Sequence, residues 1–108
     1  MAAGLLLHRP RREDYRVVKV LVVERAGLHV RIYRGAYVRR PESVDVAQLC
    51  LGKYTEPTPG IGHMPLHRRL FRSLDPQFVA TGFVQADELD GYEAWKEDEG
   101  GFFESLPL

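Results

Sequence analysis

Residues 14–38 constrain the fold more than any other part of the chain. Residues 15–23 are rich in β-branched side chains and are apolar on both faces, which is typical of a strand that is central or covered on both sides. Residues 24–27 then supply a tight turn, in which Gly27 tolerates a positive φ. Residues 28–33 read as a second strand, so the stretch predicts a β-hairpin.

The second strand of this hairpin alternates cleanly between apolar and polar residues. Alternate residues of a strand point to the same side of a sheet, so one set is expected to face a core. The members of that set are Leu28, Val30 and Ile32. The residues between them are expected to face outward: His29, Arg31 and Tyr33.

The size and cysteine content indicate one ordinary globular domain. With 108 residues, the chain is long enough to bury a core without disulfide or metal staples. The one cysteine, Cys50, cannot form an internal disulfide, which favours a reducing, cytoplasmic location. Apolar runs fall short of the ~20 residues that a membrane-spanning helix needs, so no membrane association is expected. Residues 1–12 are predicted to be a flexible basic arm and residues 13–108 the folded domain.

Charge is divided unevenly along the chain, although the formal net charge is zero. Residues 1–40 contain ten Lys and Arg against three Asp and Glu, a balance of +7. Residues 77–108 contain one Lys against eight acids, a balance of −7. A split of this size predicts that the two regions pair with each other, within the fold or across a dimer, or that each meets a partner.

Three further elements are predicted in the second half of the chain. A proline suited to the first helical position and apolar residues at helical spacing predict a helix over residues 65–74. A well-covered strand follows at residues 77–85, and Asp87 begins a second helix over residues 87–97. The prediction is a small single α+β domain, in which the two short helices pack on a mainly antiparallel sheet built on the 14–38 hairpin. Parallel pairing of strands in the second half is the alternative, so the strand order stays open.

The best candidate for a ligand site is the glycine-rich loop that enters the first predicted helix. Such a loop presents backbone N–H groups to an anion. His63 is the candidate catalytic residue, because an imidazole titrates at about pH 6.5 and serves as acid or base. The predicted ligand-binding set comprises the glycine, histidine and arginine residues of this segment: Gly60, Gly62, His63, His67, Arg68 and Arg69. The phosphate-loop and dinucleotide-binding patterns are missing, so a purely structural turn is the alternative.

The sequence predicts no metal and no cofactor. His63 and His67 stand four residues apart, a spacing that places two ligands on one helix face. No glutamate follows His63, however, so the His-Glu-x-x-His pattern of metalloproteases is absent. The acids after Asp87 do not follow the calcium-loop pattern either.

An acidic segment with interleaved aromatic residues favours binding of a basic protein. Residues 87–99 contain seven acids, and Tyr92 and Trp95 lie among them. Aromatic side chains dominate interface hot spots, and complementary charge speeds encounter. The predicted partner-binding residues are Glu93, Trp95 and Glu97. In the alternative interpretation, the two aromatic residues pack in the core.

These features favour a non-enzymatic interaction module, either inhibitor-like or homodimeric, whose partner is another protein or a second copy of itself. One alternative is a small enzyme or anion-binding domain that uses the loop and helix of residues 60–69. A second alternative is nucleic-acid contact through basic residues 9–16 with Arg39 and Arg40. The aromatic-glycine pattern of the common RNA-binding modules is missing, which argues against nucleic acid.

Overall fold

The computed structural model describes residues 2–8, 15–39, 44, 48–55 and 57–105. In chain order, its elements are β1 (Ala2–His8), β2 (Arg16–Val23), β3 (Gly27–Ile32), β4 (Ile61–His67), α1 (Arg68–Ser73), β5 (Gln77–Phe83), a 3-10 helix (Ala86–Leu89) and α2 (Asp90–Glu97). These strands form one sheet in the order β4-β3-β2-β1-β5, with every neighbouring pair antiparallel. The predicted α+β fold, a mainly antiparallel sheet with two short helices, is confirmed.

The predicted hairpin is β2 with β3, and it lies in the middle of the sheet. Val18 pairs with Ile32 and Val20 with Val30. β2 has β3 on one side and β1 on the other, which agrees with its continuous apolar sequence.

The turn of the hairpin needs Gly27 for close packing. Its φ is not positive, in contrast to the prediction. A Cβ at this position would instead lie 2.3 Å from the carbonyl oxygen of Leu66, so any larger residue would push β3 away from β4. The N–H of Glu24 donates to the carbonyl of Gly27 at 2.8 Å and closes the turn.

A hydrophobic core lies between α1 and the face of the sheet that α1 covers. Its buried residues come from β2, β3 and β4: Val18, Leu28, Val30, Ile32, Met64 and Leu66. Partly buried residues of α1 and its C-terminal cap pack on them: Leu70, Phe71 and Leu74. Truncating one of the large residues to alanine in such a core costs about 2–5 kcal/mol. The alternating set of β3 therefore faces a core, as predicted.

The opposite face of the sheet carries polar side chains beside a smaller hydrophobic cluster around Val17 and Tyr33, and it is also covered. His29 has no exposed surface and Tyr33 is buried, so the prediction that both face outward is wrong. Side chains of α2 pack on His29, and Glu88 of the 3-10 helix forms an ion pair with Lys19 of β2. Strand alternation identifies two faces, but it does not show which element covers each of them.

The beginning of the chain differs from the predicted flexible arm. Ala2–His8 forms β1, which is paired with β2 on one side and with β5 on the other. Residues 5–8 pair with β2 and residues 2–7 pair with β5, so the backbone groups of residues 5–7 have partners on both sides. Residues 9–12 of the predicted arm lie outside the described residues.

β4 replaces the loop and the first helical turn predicted before Arg68, where α1 in fact begins. A proline is tolerated in a strand at the edge of a sheet. The carbonyl of Pro65 accepts the N–H of Phe103 on the outer side of β4. The nitrogen of Pro65 points to the same outer side, so β3 loses no hydrogen-bond donor.

Candidate functional site

His29 of β3 and His63 of β4 form a hydrogen-bonded pair on the polar face of the sheet. Nδ1 of His29 lies 2.8 Å from Nε2 of His63. The two rings are stacked, with centroids 5.1 Å apart and planes inclined by 13°. His29 is completely buried, whereas His63 is half-buried. The pair forms because Val30 is opposite Met64 on the core face, which leaves both histidines on the other face.

Glu24, beside the β2–β3 turn, extends this pair to a chain of three titratable groups. Its Oε2 lies 3.4 Å from Nε2 of His29, too far for a strong hydrogen bond but close enough for electrostatic attraction. Its Oε1 accepts the hydroxyl proton of Tyr92 at 3.1 Å. The tautomers that satisfy both histidine contacts carry a proton on Nε2 of each ring. Nδ1 of His63 is then the acceptor at the half-buried end of the chain.

Aromatic side chains enclose His29 on the side away from the sheet. The centroid of its ring lies 4.7 Å from that of Tyr92, 4.3 Å from Trp95 and 5.3 Å from Phe102. Tyr92 and Trp95 belong to α2 and stand three residues apart, so both face the same side of the helix. The indole N–H of Trp95 donates to the carbonyl of Gly101 at 2.9 Å. α2 and the segment after it therefore cover His29 together.

α2 approaches His63 closely because residue 91 is glycine. A Cβ on Gly91 would lie 2.5 Å from the Cβ of His63, a distance that real side chains do not adopt. The glycine costs helix propensity, but it brings the first turn of α2 against the ring of His63.

Burial lowers the pKa of both histidines. For His29, loss of hydration is the main cause, and the Glu24 carboxylate partly opposes it. For His63, burial acts together with repulsion from His29. Burial, with the Glu24 hydrogen bond, raises the pKa of Tyr92. Both imidazoles are therefore uncharged at neutral pH. When the pH falls, this group of three residues can take up a proton at Nδ1 of His63.

The other residues of the predicted ligand-binding set do not converge on His63. His67 caps α1, and its Nδ1 accepts the N–H of Arg69 at 3.1 Å. The guanidinium of Arg68 donates to two backbone carbonyls beside the β2–β3 turn, at 2.8 and 2.5 Å. The side chain of Arg69 is exposed. The arginines thus hold the turn or face solvent.

The two glycines of the predicted set serve the packing of β4. The N–H of Gly60 donates to the carbonyl of Leu51 at 2.8 Å, and a Cβ there would lie 2.7 Å from the Cα of Leu51. The carbonyl of Gly62 accepts Nε–H of Arg31 at 3.4 Å. A strand lies where the glycine loop was predicted, so the expected entry of a loop into a helix is not formed.

Glu24 and His29 are site residues that the sequence did not single out. The histidine lies at a nominally outward position of a strand, and the glutamate lies beside a turn, where either residue type is ordinary. Their meeting with His63 depends on the pairing of β3 with β4 across 34 positions, which no local pattern encodes.

A second polar cluster lies on the same face of the sheet. Nζ of Lys19 is 2.9 Å from Oε1 of Glu88, and the two side chains are only 7% and 8% exposed. Arg31 is 3.6 Å from the other oxygen, and the N–H of Gln85 donates to Oε1 at 2.9 Å. Burial raises the pKa of Glu88, but the Gln85 N–H and the two cations outweigh it, so the net pKa is lowered. Lys19 also donates to the Phe83 carbonyl, which ties β5 to β2.

The predicted partner-binding residues of α2 separate into two environments. Glu93 and Glu97 are exposed. Trp95 is half-buried and packs on His29, which matches the alternative in which helical aromatics enter the interior.

One basic residue of the predicted nucleic-acid surface is buried inside the protein. Arg16 is buried, and its guanidinium donates to the carbonyls of Tyr33 at 2.9 Å and Pro59 at 3.1 Å. Residues 9–14 and Arg40 lie outside the described residues.

The two edges of the sheet differ in how they are covered. On β4, the N–H of Phe103 donates to the carbonyl of Pro65 at 2.8 Å, and the N–H of His67 donates to the carbonyl of Phe103 at 2.9 Å. β5, at the other edge, pairs with β1 alone among the described residues. Its sequence contains no charged residue and no proline. Phe78 and Phe83 are 62% and 68% exposed.

Strand register places these two phenylalanines on one face. Phe78 pairs with position 6 of β1 and Phe83 with position 2, and positions four apart along a strand belong to one face. Leu6 is in turn opposite Val18, on the side of the sheet that carries α1. α1 packs mainly on β3 and β4, and Phe78 and Phe83 stay exposed.

No group of three or more His, Cys, Asp or Glu side chains within the described ranges is arranged to hold a metal ion. Cys50 is exposed. No helix in the same part of the chain is long and apolar enough to cross a membrane.

Comparison of the chain with models of protein families, with curated proteins and with solved structures finds no match.

Proposed function

We propose that this chain is a non-enzymatic protein-interaction module that works as a homodimer, joined edge to edge through β5. The observation that carries the proposal is the open edge of β5. Phe78 and Phe83 are exposed there, and no described residue pairs with the outer backbone groups of the strand. An exposed, uncharged strand edge is a template for pairing with another chain.

The contrast between the two edges supports this proposal. Proteins protect sheet edges with proline, with charge or with a covering segment. β4 has two of these protections, in Pro65 and in the segment that carries Phe103. β5 has neither proline nor charge, and a register shift near Phe78 is the single irregularity along it. A second strand laid along β5 would give this edge the cover that the other edge already has.

The apolar surface at β5 is of a useful size for a dimer. An aromatic side chain buries roughly 150–250 Å². With 62% and 68% of their surfaces exposed, Phe78 and Phe83 therefore offer together on the order of 250 Å² per copy. A standard interface buries about 800 Å² per partner. The two rings supply about a third of that area, and the backbone and flanking residues of a seven-residue strand supply the remainder.

A second copy suits this edge better than a charged partner does. Because β5 carries no charge, antiparallel self-pairing about a two-fold axis places no like charges opposite each other. The same axis brings Phe78 of one copy near Phe83 of the other, since the two residues lie on one face and at opposite ends of the strand.

The experiment is a molar-mass measurement by light scattering over a dilution series. The wild-type protein is expected to be a dimer. Thr81→Lys with Phe83→Lys places charge on two exposed positions of β5 and is expected to give a monomer. Tyr54→Lys is the matched control, because Tyr54 is 91% exposed in the loop before β4, and it is expected to leave the dimer intact.

Salt separates this dimer from one held by the oppositely charged ends of the chain. At about 500 mM salt the screening length is about 4 Å, so contacts between surface charges are largely removed. The β5 dimer is apolar and backbone-bonded and is expected to persist. A wild-type monomer at every concentration, a dimer that dissociates in salt, or a dimeric double-lysine variant would each contradict the proposal.

A further inference from the structure

The titratable cluster of Glu24, His29 and His63 takes no part in the proposed dimer, and it lies where α2 meets the sheet. We propose that these three residues form a proton-sensitive latch. The latch holds α2 and residues 100–103 on the sheet while both imidazoles are uncharged, and it releases them when the histidine pair takes up protons. This inference is independent of the proposed dimer.

The hydrogen bond between the two rings sets a limit on the protons they can hold. Nδ1 of His29 and Nε2 of His63 are 2.8 Å apart, so only one of these nitrogens can carry a hydrogen. A first proton binds Nδ1 of His63, the acceptor at the half-buried end. A second proton has to bind Nδ1 of His29, and it breaks the bond between the rings.

His29 is poorly placed to carry a charge. Its ring has no exposed surface and is enclosed by Tyr92, Trp95 and Phe102. Glu24, at 3.4 Å, is the acidic side chain in contact with it among the described residues. A buried cation without full pairing is costly, and displacing the aromatic cover admits water to the ring.

The charged and titratable groups around the latch come from several elements. Tyr92 of α2 shares the Glu24 carboxylate with His29. Asp90 and Glu93 occupy the first turn of α2, where their charge offsets the positive end of the helix that faces His63. The basic side chains nearby come from β3, α1 and α2: Arg31, Arg68 and Lys96. Burial, and not these cations, lowers the pKa of both histidines, so release requires acid rather than neutral pH.

The direction of the pH effect follows from linkage. The closed form binds protons less readily than the open form, because burial lowers the pKa of both histidines from the ordinary value of 6.5. The form that binds more protons gains as pH falls. Acidification below about pH 6.5 therefore favours the open form.

The single tryptophan, Trp95, reports on the latch directly, because its ring centroid lies 4.3 Å from that of His29. Quenching of its fluorescence by acrylamide is measured from about pH 8 to about pH 4, together with far-UV circular dichroism. The expected result is a reversible increase in quenching with a midpoint below 6.5, at pH values where the dichroism still shows the sheet.

Three variants isolate the latch from other histidines. His63→Gln keeps a hydrogen-bonding side chain that does not titrate, so it is expected to shift the midpoint and to reduce the number of protons taken up in the step. Glu24→Gln removes the carboxylate that favours a charged His29, so the step is expected at lower pH. His67→Gln is the control, because His67 caps α1 and contacts the N–H of Arg69 instead of the latch.

Two outcomes would overturn the latch. One is an increase in quenching that occurs only together with loss of the dichroism signal, since that is global unfolding. The other is an unchanged step in the His63→Gln variant. If that variant does not fold, Glu24→Gln decides the matter, because a midpoint that does not move would show that the carboxylate and the histidines are uncoupled.

Discussion

Nδ1 of His29 and Nε2 of His63 lie 2.8 Å apart, although the two residues are separated by 34 positions in the chain. The contact joins β3 to β4 on the face that α2 covers. The opposite face of the same strands holds an apolar core that contains no charged residue in its buried cluster. One sheet therefore separates an apolar core from a layer in which titratable groups lie beside a smaller hydrophobic cluster.

Gly91→Ala is expected to destabilise the protein by about 1–3 kcal/mol, as overpacking does. The reason is the 2.5 Å approach of the added Cβ to His63. Helix propensity alone predicts the opposite sign, a gain of about 1 kcal/mol. Urea denaturation measures the free energy of unfolding. Gly101→Ala is the control, because a Cβ there meets nothing within 4 Å, and a gain in stability for Gly91→Ala would show that α2 does not pack on His63 this closely.

Glu88→Gln is expected to cost about 3–5 kcal/mol, because it leaves the buried ammonium of Lys19 unpaired. Lys19→Met together with Glu88→Gln removes the charge as well, so the double variant is expected to be more stable than Glu88→Gln alone. Urea unfolding of the single and double variants measures the difference. A double variant that is no more stable than the single one would contradict an energetic coupling of the pair.

The ion pair between Lys19 and Glu88 also predicts how the free energy of unfolding changes at acid pH. The pKa of Glu88 is lowered from 4.5 in the folded chain, so its contribution is present above about pH 4.5 and is lost as pH falls further. The wild-type free energy of unfolding is therefore expected to fall in this range. Glu88→Gln, measured by urea denaturation at several pH values, is expected to show a shallower slope there, and an equal slope would exclude Glu88 as the titrating group.

Glu93→Lys with Glu97→Lys is expected to lower the free energy of unfolding by no more than about 1 kcal/mol, because both side chains are exposed and the loss is that of the Glu93 charge in the first turn of α2. The dimer through β5 is expected to be unaffected, as light scattering can show. If the dimer weakens and the loss depends on salt, the sequence-based prediction that these acids bind a partner is favoured over pairing through β5.

The sequence was sufficient for the centre of the sheet. β-branched runs and strict alternation predicted β2 and β3, because these patterns follow directly from the pleat of a strand and from the burial of its side chains. The same alternation placed His29 on the outer face, but the cover over it comes from Tyr92 and Trp95, which lie in a distant helix. Local pattern shows which residues share a face and leaves open what packs on that face.

Pro65 shows why β4 was not predicted. A proline before apolar residues at helical spacing is typical of a helix start, and the sequence was interpreted in that way. Its outward-facing nitrogen is equally compatible with an edge strand, and the pairing of β4 with β3 decides between the two. That pairing is a long-range contact, and so is the approach of His63 to His29 that depends on it.

β1 lies between β2 and β5, so among the described residues the last strand joins the sheet through the first. Ala2 is opposite Phe83, a separation of 83 − 2 = 81 residues. Such a distant pairing forms more slowly than the contacts between strands that follow one another in sequence. During synthesis, the outer edge of β1 therefore stays unpaired until Gln77–Phe83 has left the ribosome. A chain released before that point would present β1, instead of β5, as its open edge.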